Sequence, residues 1–172
     1  MANARTPILL GAATVVSGLL AGGIVDRVIV GGPAWHVLGA ESWLQYSRHA
    51  DLGTGLVAYP IEGIGTTVLI VAATVSNYLD TGRRWMALPL YYATAFSIAG
   101  LFLTVKAAPI MLSLAEAQSA VATESAFEEF YTWGLYLRGA ADTLAFAALV
   151  WALATGRSEA ENVDPSSIVP DA

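Results

Sequence analysis

Long apolar runs separated by polar stretches of unequal length set the pattern of this chain. Four runs, residues 7–30, 54–79, 85–106 and 133–155, each hold about 20 or more mostly apolar residues, enough to cross roughly 30 Å of hydrocarbon as a helix. Backbone groups in lipid must find partners within their own segment, so each run reads as a helix and not a strand. The second and third runs are joined by the tight polar turn Asp80-Thr81-Gly82-Arg83-Arg84. The first and second, like the third and fourth, are joined by about two dozen residues. Both long connectors therefore fall on one side of the membrane. The pattern predicts an all-α fold, a four-transmembrane-helix bundle with two long extracytoplasmic connectors that contain short interfacial helices.

The first connector, with the start of the second run, is the stretch 31–62, GGPAWHVLGAESWLQYSRHADLGTGLVAYPIE. It leaves the membrane, runs along the surface and returns, carrying both histidines and two of the five tryptophans. It is the natural lid and wall of any site. The second connector spaces Leu114, Ala117, Val121, Phe127, Phe130 and Tyr131 among acidic residues, which fits a helix at the interface. Its acidity disfavours anionic headgroups and points to packing on the bundle. Gly18 and Gly22, with Gly11 further back, give the first helix small residues that allow close approach of a neighbour. Pro33 before Leu38 and Pro109 before Leu114 suggest a weak parallel duplication of two helix-connector-helix halves.

Composition supports the membrane reading: 56% of residues are hydrophobic, 13% are charged, and mean hydropathy is +0.59. The net charge of -6 is concentrated at 116–129 and in the tail after Gly156, so no basic face is offered to nucleic acid. Absence of cysteine excludes disulfides, thiolate metal sites and thiol catalysis. The first run is too long for an ordinary signal-peptide core and reads as a retained helix. Arg5, Arg83, Arg84 and Arg157 flank the terminal side, whereas the connectors proper carry only Arg48, so both termini are expected in the cytoplasm of a bacterial inner membrane. Residues 1–156 form the membrane domain, and 157–172 an acidic, disordered cytoplasmic tail.

Six ionisable residues fall inside or at the edges of the runs: Asp26, Arg27, Glu62, Lys106, Arg138 and Asp142. The topology puts all six toward the connectors. Glu62 lies roughly 12 Å in from Thr54, where Arg27 at the end of the adjacent helix is its natural neighbour in an antiparallel pair, and Asp142 lies roughly 13 Å in from Trp133. A charge at such depth costs about 2.5–3.5 kcal/mol on insertion scales and should face inward and pair. Two readings fit: an ion-pair network that holds four helices in register, or the floor of a polar cavity open to the connectors. His36 and His49 flank Trp35, Trp43 and Tyr46. For His49 an ordinary interfacial histidine is the simpler reading, while His36, close after the Asp26-Arg27 helix end, suits a site equally well. No HxxH or ExxH ligand spacing, Gly-rich phosphate loop, nucleophile elbow or haem motif occurs, so no metal or cofactor is implied.

The proline after the first helix, Trp43 and Tyr46 in W-x2-Y spacing, Tyr59-Pro60, Ala108-Pro109, and Trp133 followed by Arg138 and Asp142 together resemble the anthrone-oxygenase-like family of small four-helix membrane proteins. The resemblance covers about residues 8–155. It implies cofactor-independent oxygenation of an activated polycyclic aromatic, with His36 in the place of a catalytic histidine. Such a substrate has an acidic ring methylene, and His36 or Glu62 would remove its proton. Arg27, Arg138 or Lys106 would stabilise the enolate oxygen, and Trp35, Trp43, Tyr59 and Trp133 would form aromatic walls. The catalytic candidates are thus His36, Glu62, Arg138 and Asp142, and the substrate-contact candidates Asp26, Arg27, Trp35, Trp43, Tyr59, Lys106 and Trp133. The competing class is non-enzymatic: a membrane-complex subunit or homo-oligomer whose polar cavity holds a lipid, quinone or other small molecule.

Overall fold

The computed structural model describes residues 5–79, 86–116 and 119–162. Among these, only Gly39 and Ser119 fall outside helix. The elements are α1 (Arg5–Asp26), α2 (Gly32–Leu38), α3 (Ala40–His49), α4 (Gly55–Leu79), α5 (Ala87–Ser113), α6 (Ala120–Phe130) and α7 (Arg138–Asn162). Three wider, π-helical segments at Arg27–Gly31, Ala50–Thr54 and Tyr131–Leu137 join α1 to α2, α3 to α4 and α6 to α7. The turn residues 80–84 and the tail beyond Asn162 lie outside the described residues, and α7 itself runs six residues past Gly156.

Four helical rods are long and apolar enough to cross a membrane. With their outward faces lined by side chains such as Ile8, Leu19, Val68, Phe102 and Leu144, the chain is an integral membrane protein. The long helices pack in the cyclic order α1, α4, α5, α7, each antiparallel to both neighbours. The helices extend further than the apolar runs do. α5 continues through Pro109 to Ser113, because a membrane helix tolerates a missing N–H when its neighbours pack around it. The connectors are accordingly extensions of the spans, folded over the end of the bundle.

Two apolar cores stack along the bundle axis. On the terminal side Leu10, Ile70, Leu90 and Leu149 are fully buried with Ala13, Ala73, Ala93 and Ala152 between them. On the connector side Trp35, Trp43, Met111, Leu114, Phe127, Phe130, Tyr131 and Leu135 pack together. A polar layer separates the two. There Thr67 of α4 hydrogen-bonds Ser97 of α5 at 2.7 Å, and Arg138 and Asp142 of α7 point inward. Toward the other end Thr74 meets Thr94 at 2.9 Å and Thr6 meets Ser76 at 2.8 Å. Hydroxyl pairs of this kind hold α4 against α5 and α1 in a solvent where apolar contact alone gives little preference for one helix pair over another.

Of the α1 glycines, Gly18 is in close contact with the Phe146 ring of α7, while Gly11 and Gly22 have open space where a side chain would stand. On α6, Ser119 caps the helix by accepting from the Ala122 N–H at 3.2 Å. That start sets the helical phase, so Thr123, Phe127, Phe130 and Tyr131 turn inward and Val121 faces out. α6 packs on α5 and α3, as its acidity suggested.

Candidate functional site

The charged residues do not form one layer. They separate into three groups at different places on the connector half of the bundle.

The innermost group belongs to α7. Arg138 and Asp142, one turn apart, pair through Nε and Oδ2 at 3.4 Å, with side chains 17% and 8% exposed. Two glycines make the room for them. A Cβ on Gly63 of α4 would lie 3.7 Å from Arg138 Nη2, and one on Gly100 of α5 would lie 2.6 Å from Asp142 Oδ1. Glu62 is within electrostatic reach of Asp142. Nearby on α4, Thr66 Oγ1 is buried without a hydrogen-bonding partner. Sequence reasoning placed these residues facing inward, and Arg138 and Asp142 do so.

The second group lies one to two turns of α4 nearer the connectors, roughly 5–11 Å along the helix axis. Arg27, expected beside Glu62, instead pairs with Asp51: its Nη2 is 3.0 Å from both carboxylate oxygens. Arg27 Nη1 donates to Tyr59 Oη at 3.4 Å, and the guanidinium carbon lies 5.2 Å from the Trp35 ring centre and 5.7 Å from that of Tyr59. The guanidinium is thus held by one carboxylate, one phenol and two aromatic faces, which suits its planar, weakly hydrated form. Asp26, next to it, faces outward and is exposed. The Tyr59 ring fits because Gly55, one turn earlier, has no side chain: a Cβ there would lie 2.6 Å from the ring.

The third group is on the outside. Lys106 pairs with Glu129 at 3.3 Å and lies over the Trp133 ring at 5.8 Å, its side chain half exposed. This is a rim contact, worth little to stability.

His36 stands apart from all three. Its ring packs edge-on to Phe127 at 4.8 Å and against Tyr131 at 5.3 Å, and its Nδ1 faces Glu128 Oε1 at 3.8 Å. Tyr131 in turn meets Tyr136 at 5.2 Å. Its hydroxyl lies directly against Gly32, where any side chain would collide with it. Tyr136 lines an open, almost wholly apolar groove of about 410 Å³ between Ile24, Val28 and Ile29 on one side and Leu135, Ala140 and Leu144 on the other. The groove faces the bilayer and lies on a different face of α7 from Arg138 and Asp142. His49, at the surface, has its Nδ1 2.9 Å from the Gln45 carbonyl of its own helix.

Trp35 and Trp43 of the candidate aromatic wall are buried together, ring centres 6.2 Å apart, and Trp43 packs on Phe127 at 4.7 Å. Trp133 is half-buried at the edge of the same core, with Lys106 over its ring. The site residues that the apolar pattern did not single out are Asp51, Ser47, Glu128 and Tyr136, while Tyr131 stood in the apolar pattern of the second connector without a site role. Trp43, Ser47 and Asp51 follow one another at four-residue spacing, and that stripe was the signal for an inward face. Among the described residues eight buried side-chain polar atoms have no hydrogen-bonding partner. Five of them are here: Arg27 Nε, Trp43 Nε1, Ser47 Oγ, Asp51 Oδ1 and Tyr131 Oη. A buried polar group left this way costs about 1–3 kcal/mol. Among the described residues no cluster of three or more His, Asp or Glu has the arrangement of a metal site.

No protein-family model, curated protein or solved structure matches this chain.

Proposed function

We propose that this protein takes a flat, lipid-soluble aromatic molecule from the bilayer into the groove between α1 and α7, and oxidises it in the manner of an anthrone oxygenase. The observation that carries the reading is the line of groups at the connector end of that groove: Tyr136, Tyr131 and then His36, with Glu128 behind it. An apolar body in the groove would bring a polar edge to the only imidazole near it among the described residues. With Nδ1 on the side of Glu128 at 3.8 Å, Nε2 is the ring nitrogen assigned to accept the proton.

An anthrone carries an acidic ring methylene. His36 accepts one of its protons, and the carbanion that results reduces dioxygen without a metal or flavin. The methylene becomes a carbonyl, one oxygen atom enters the product and the other leaves as water, so substrate and dioxygen supply every atom and electron. Arg27, within electrostatic reach of Tyr131, is better placed for the enolate oxygen than Lys106 on the outer rim or Arg138 in the interior. The arginines on the terminal flanks support an orientation with both termini in the cytoplasm of a bacterial inner membrane and the groove opening in the outer half of the bilayer.

The non-enzymatic reading has its own support. Glu62, Arg138 and Asp142 lie inside the bundle on a face that does not meet His36, so a binding protein needs nothing further from them. Oxygen uptake by purified protein in lipid nanodiscs with anthrone, compared between the natural chain and His36→Gln, separates the two. Turnover lost in His36→Gln supports the oxygenase. No uptake above the spontaneous rate, with saturable binding retained, leaves the binding protein.

A further inference from the structure

Trp43, Ser47 and Asp51, sealed under α3, have no part in the reaction just described. α3 starts after Gly39, whose φ of 87° lies in the left-handed region that side chains disfavour. The π-helical turn that follows it is broken at Gly53, whose φ of -92° and ψ of -113° are not helical, before α4. Two glycine breaks thus bracket α3 and its π-helical end. Its inner face is the stripe Trp43, Ser47 and Asp51, at most 4% exposed. Each of the three has a polar atom without a hydrogen-bonding partner, and Arg27 Nε and Tyr131 Oη, from the ends of the bundle beneath, lack one as well. The directed bond from Arg27 goes to Asp51 Oδ2, and Oδ1 lies as near but off the line of the N–H groups. Asp51 Oδ1 keeps its ion-pair contact with Arg27, but sealed polar atoms of α3 and of the bundle beneath it that lack a hydrogen-bonding partner are what a closed cover leaves when the molecule it closes on is elsewhere.

Their chemistry limits that molecule. Arg27 and Asp51 cancel in charge, so the partner is neutral. Trp43 Nε1 and Arg27 Nε are donors, Asp51 Oδ1 is an acceptor, and Ser47 and Tyr131 are both, so the partner carries both hydroxyl and carbonyl oxygens. None of the five atoms touches solvent, and Trp43, wholly buried, fills the space among Trp35, Phe127 and Phe130. Nothing enters without movement of the helix.

We propose that α3 is a lid, hinged at Gly39 and Gly53, over a binding site for a neutral ring compound bearing hydroxyl and carbonyl groups. The lid turns outward, Trp43 leaves its place against Trp35, and the ligand's oxygens take up the unpaired groups of both faces. The aromatic class of ligand rests on the function proposed above; the movement of the lid does not.

The chain has no cysteine, so Ser47→Cys is a near-isosteric single thiol on the buried face of the lid. Its labelling by a small water-soluble maleimide in nanodiscs is compared with Ser17→Cys, equally buried but in the bundle interior, and with the exposed Ser42→Cys. The expected rate for Ser47→Cys falls between the two, at least roughly tenfold above Ser17→Cys, because sub-global opening frees it. A dihydroxyanthraquinone at saturation is expected to slow Ser47→Cys and leave Ser42→Cys unchanged. Labelling no faster than Ser17→Cys overturns the lid, and labelling that the dihydroxyanthraquinone does not slow overturns the site beneath it. Hydrogen exchange on the unaltered protein gives a second measure: residues 40–53 are expected to exchange as one block faster than 62–77, and equal protection of the two overturns the lid. Failure of anthrone to consume oxygen would remove the reaction and leave these results standing.

Discussion

A Cβ on Gly100 would lie 2.6 Å from Oδ1 of Asp142, so the glycine of α5 is the space in which the carboxylate of α7 is kept. Gly100→Ala forces Asp142 away from Arg138 or α5 away from α7. The expected loss is about 1–3 kcal/mol, the usual range for overpacking. Gly11→Ala, where nothing stands within 4 Å, is the control, and helix propensity predicts no loss or a gain of up to about 1 kcal/mol. Thermal unfolding in detergent checks both, and equal melting temperatures would show that the contact is not used.

The Arg138–Asp142 pair is deeply buried, and this fixes how its loss should combine. Asp142→Ala leaves the largely buried Arg138 guanidinium beside Gly63 without its partner, and about 3–5 kcal/mol of destabilisation is expected. Adding Arg138→Ala removes the stranded charge, so the double variant should be more stable than Asp142→Ala alone. Unfolding free energies of the four members of the cycle measure this, and additive losses would mean that the two side chains are not partners.

The four spans and the capping connectors were legible because bilayer thickness and backbone hydrogen bonding leave an apolar run of such length one structure. The inward turn of Arg138 and Asp142 was legible from their spacing on one helix. The partner of Arg27 was not. Depth along α4 suggested Glu62, but the π-helical turn at Ala50–Thr54 carries Asp51 down beside Arg27, and a change of helix type leaves no mark in an apolar pattern. His36 was singled out from its place in the chain, whereas its contacts with Glu128 and Tyr131 depend on how α6 folds back over α2, which periodicity does not encode.

The proposed orientation has a direct test. Tags at residues 2 and 172 are expected to be protected on the cytoplasmic side, and one inserted at 119–124 is expected to be accessible from outside. Termini on opposite faces would remove the four-span arrangement, and all three tags reversed would keep it while overturning the orientation.

The claim that the groove between α1 and α7 is the binding site for a flat aromatic molecule is tested most directly by filling it. Ala140 lines the groove and is exposed, so Ala140→Trp occupies it without disturbing the interior. Titration calorimetry of anthraquinone, which lacks the hydroxyl groups that the site under α3 requires, against the protein in nanodiscs is expected to show saturable binding by the natural chain. In Ala140→Trp the affinity should fall by at least roughly tenfold, a loss of about 1.4 kcal/mol. Unchanged affinity in Ala140→Trp, or no saturable binding by the natural chain, would contradict the account.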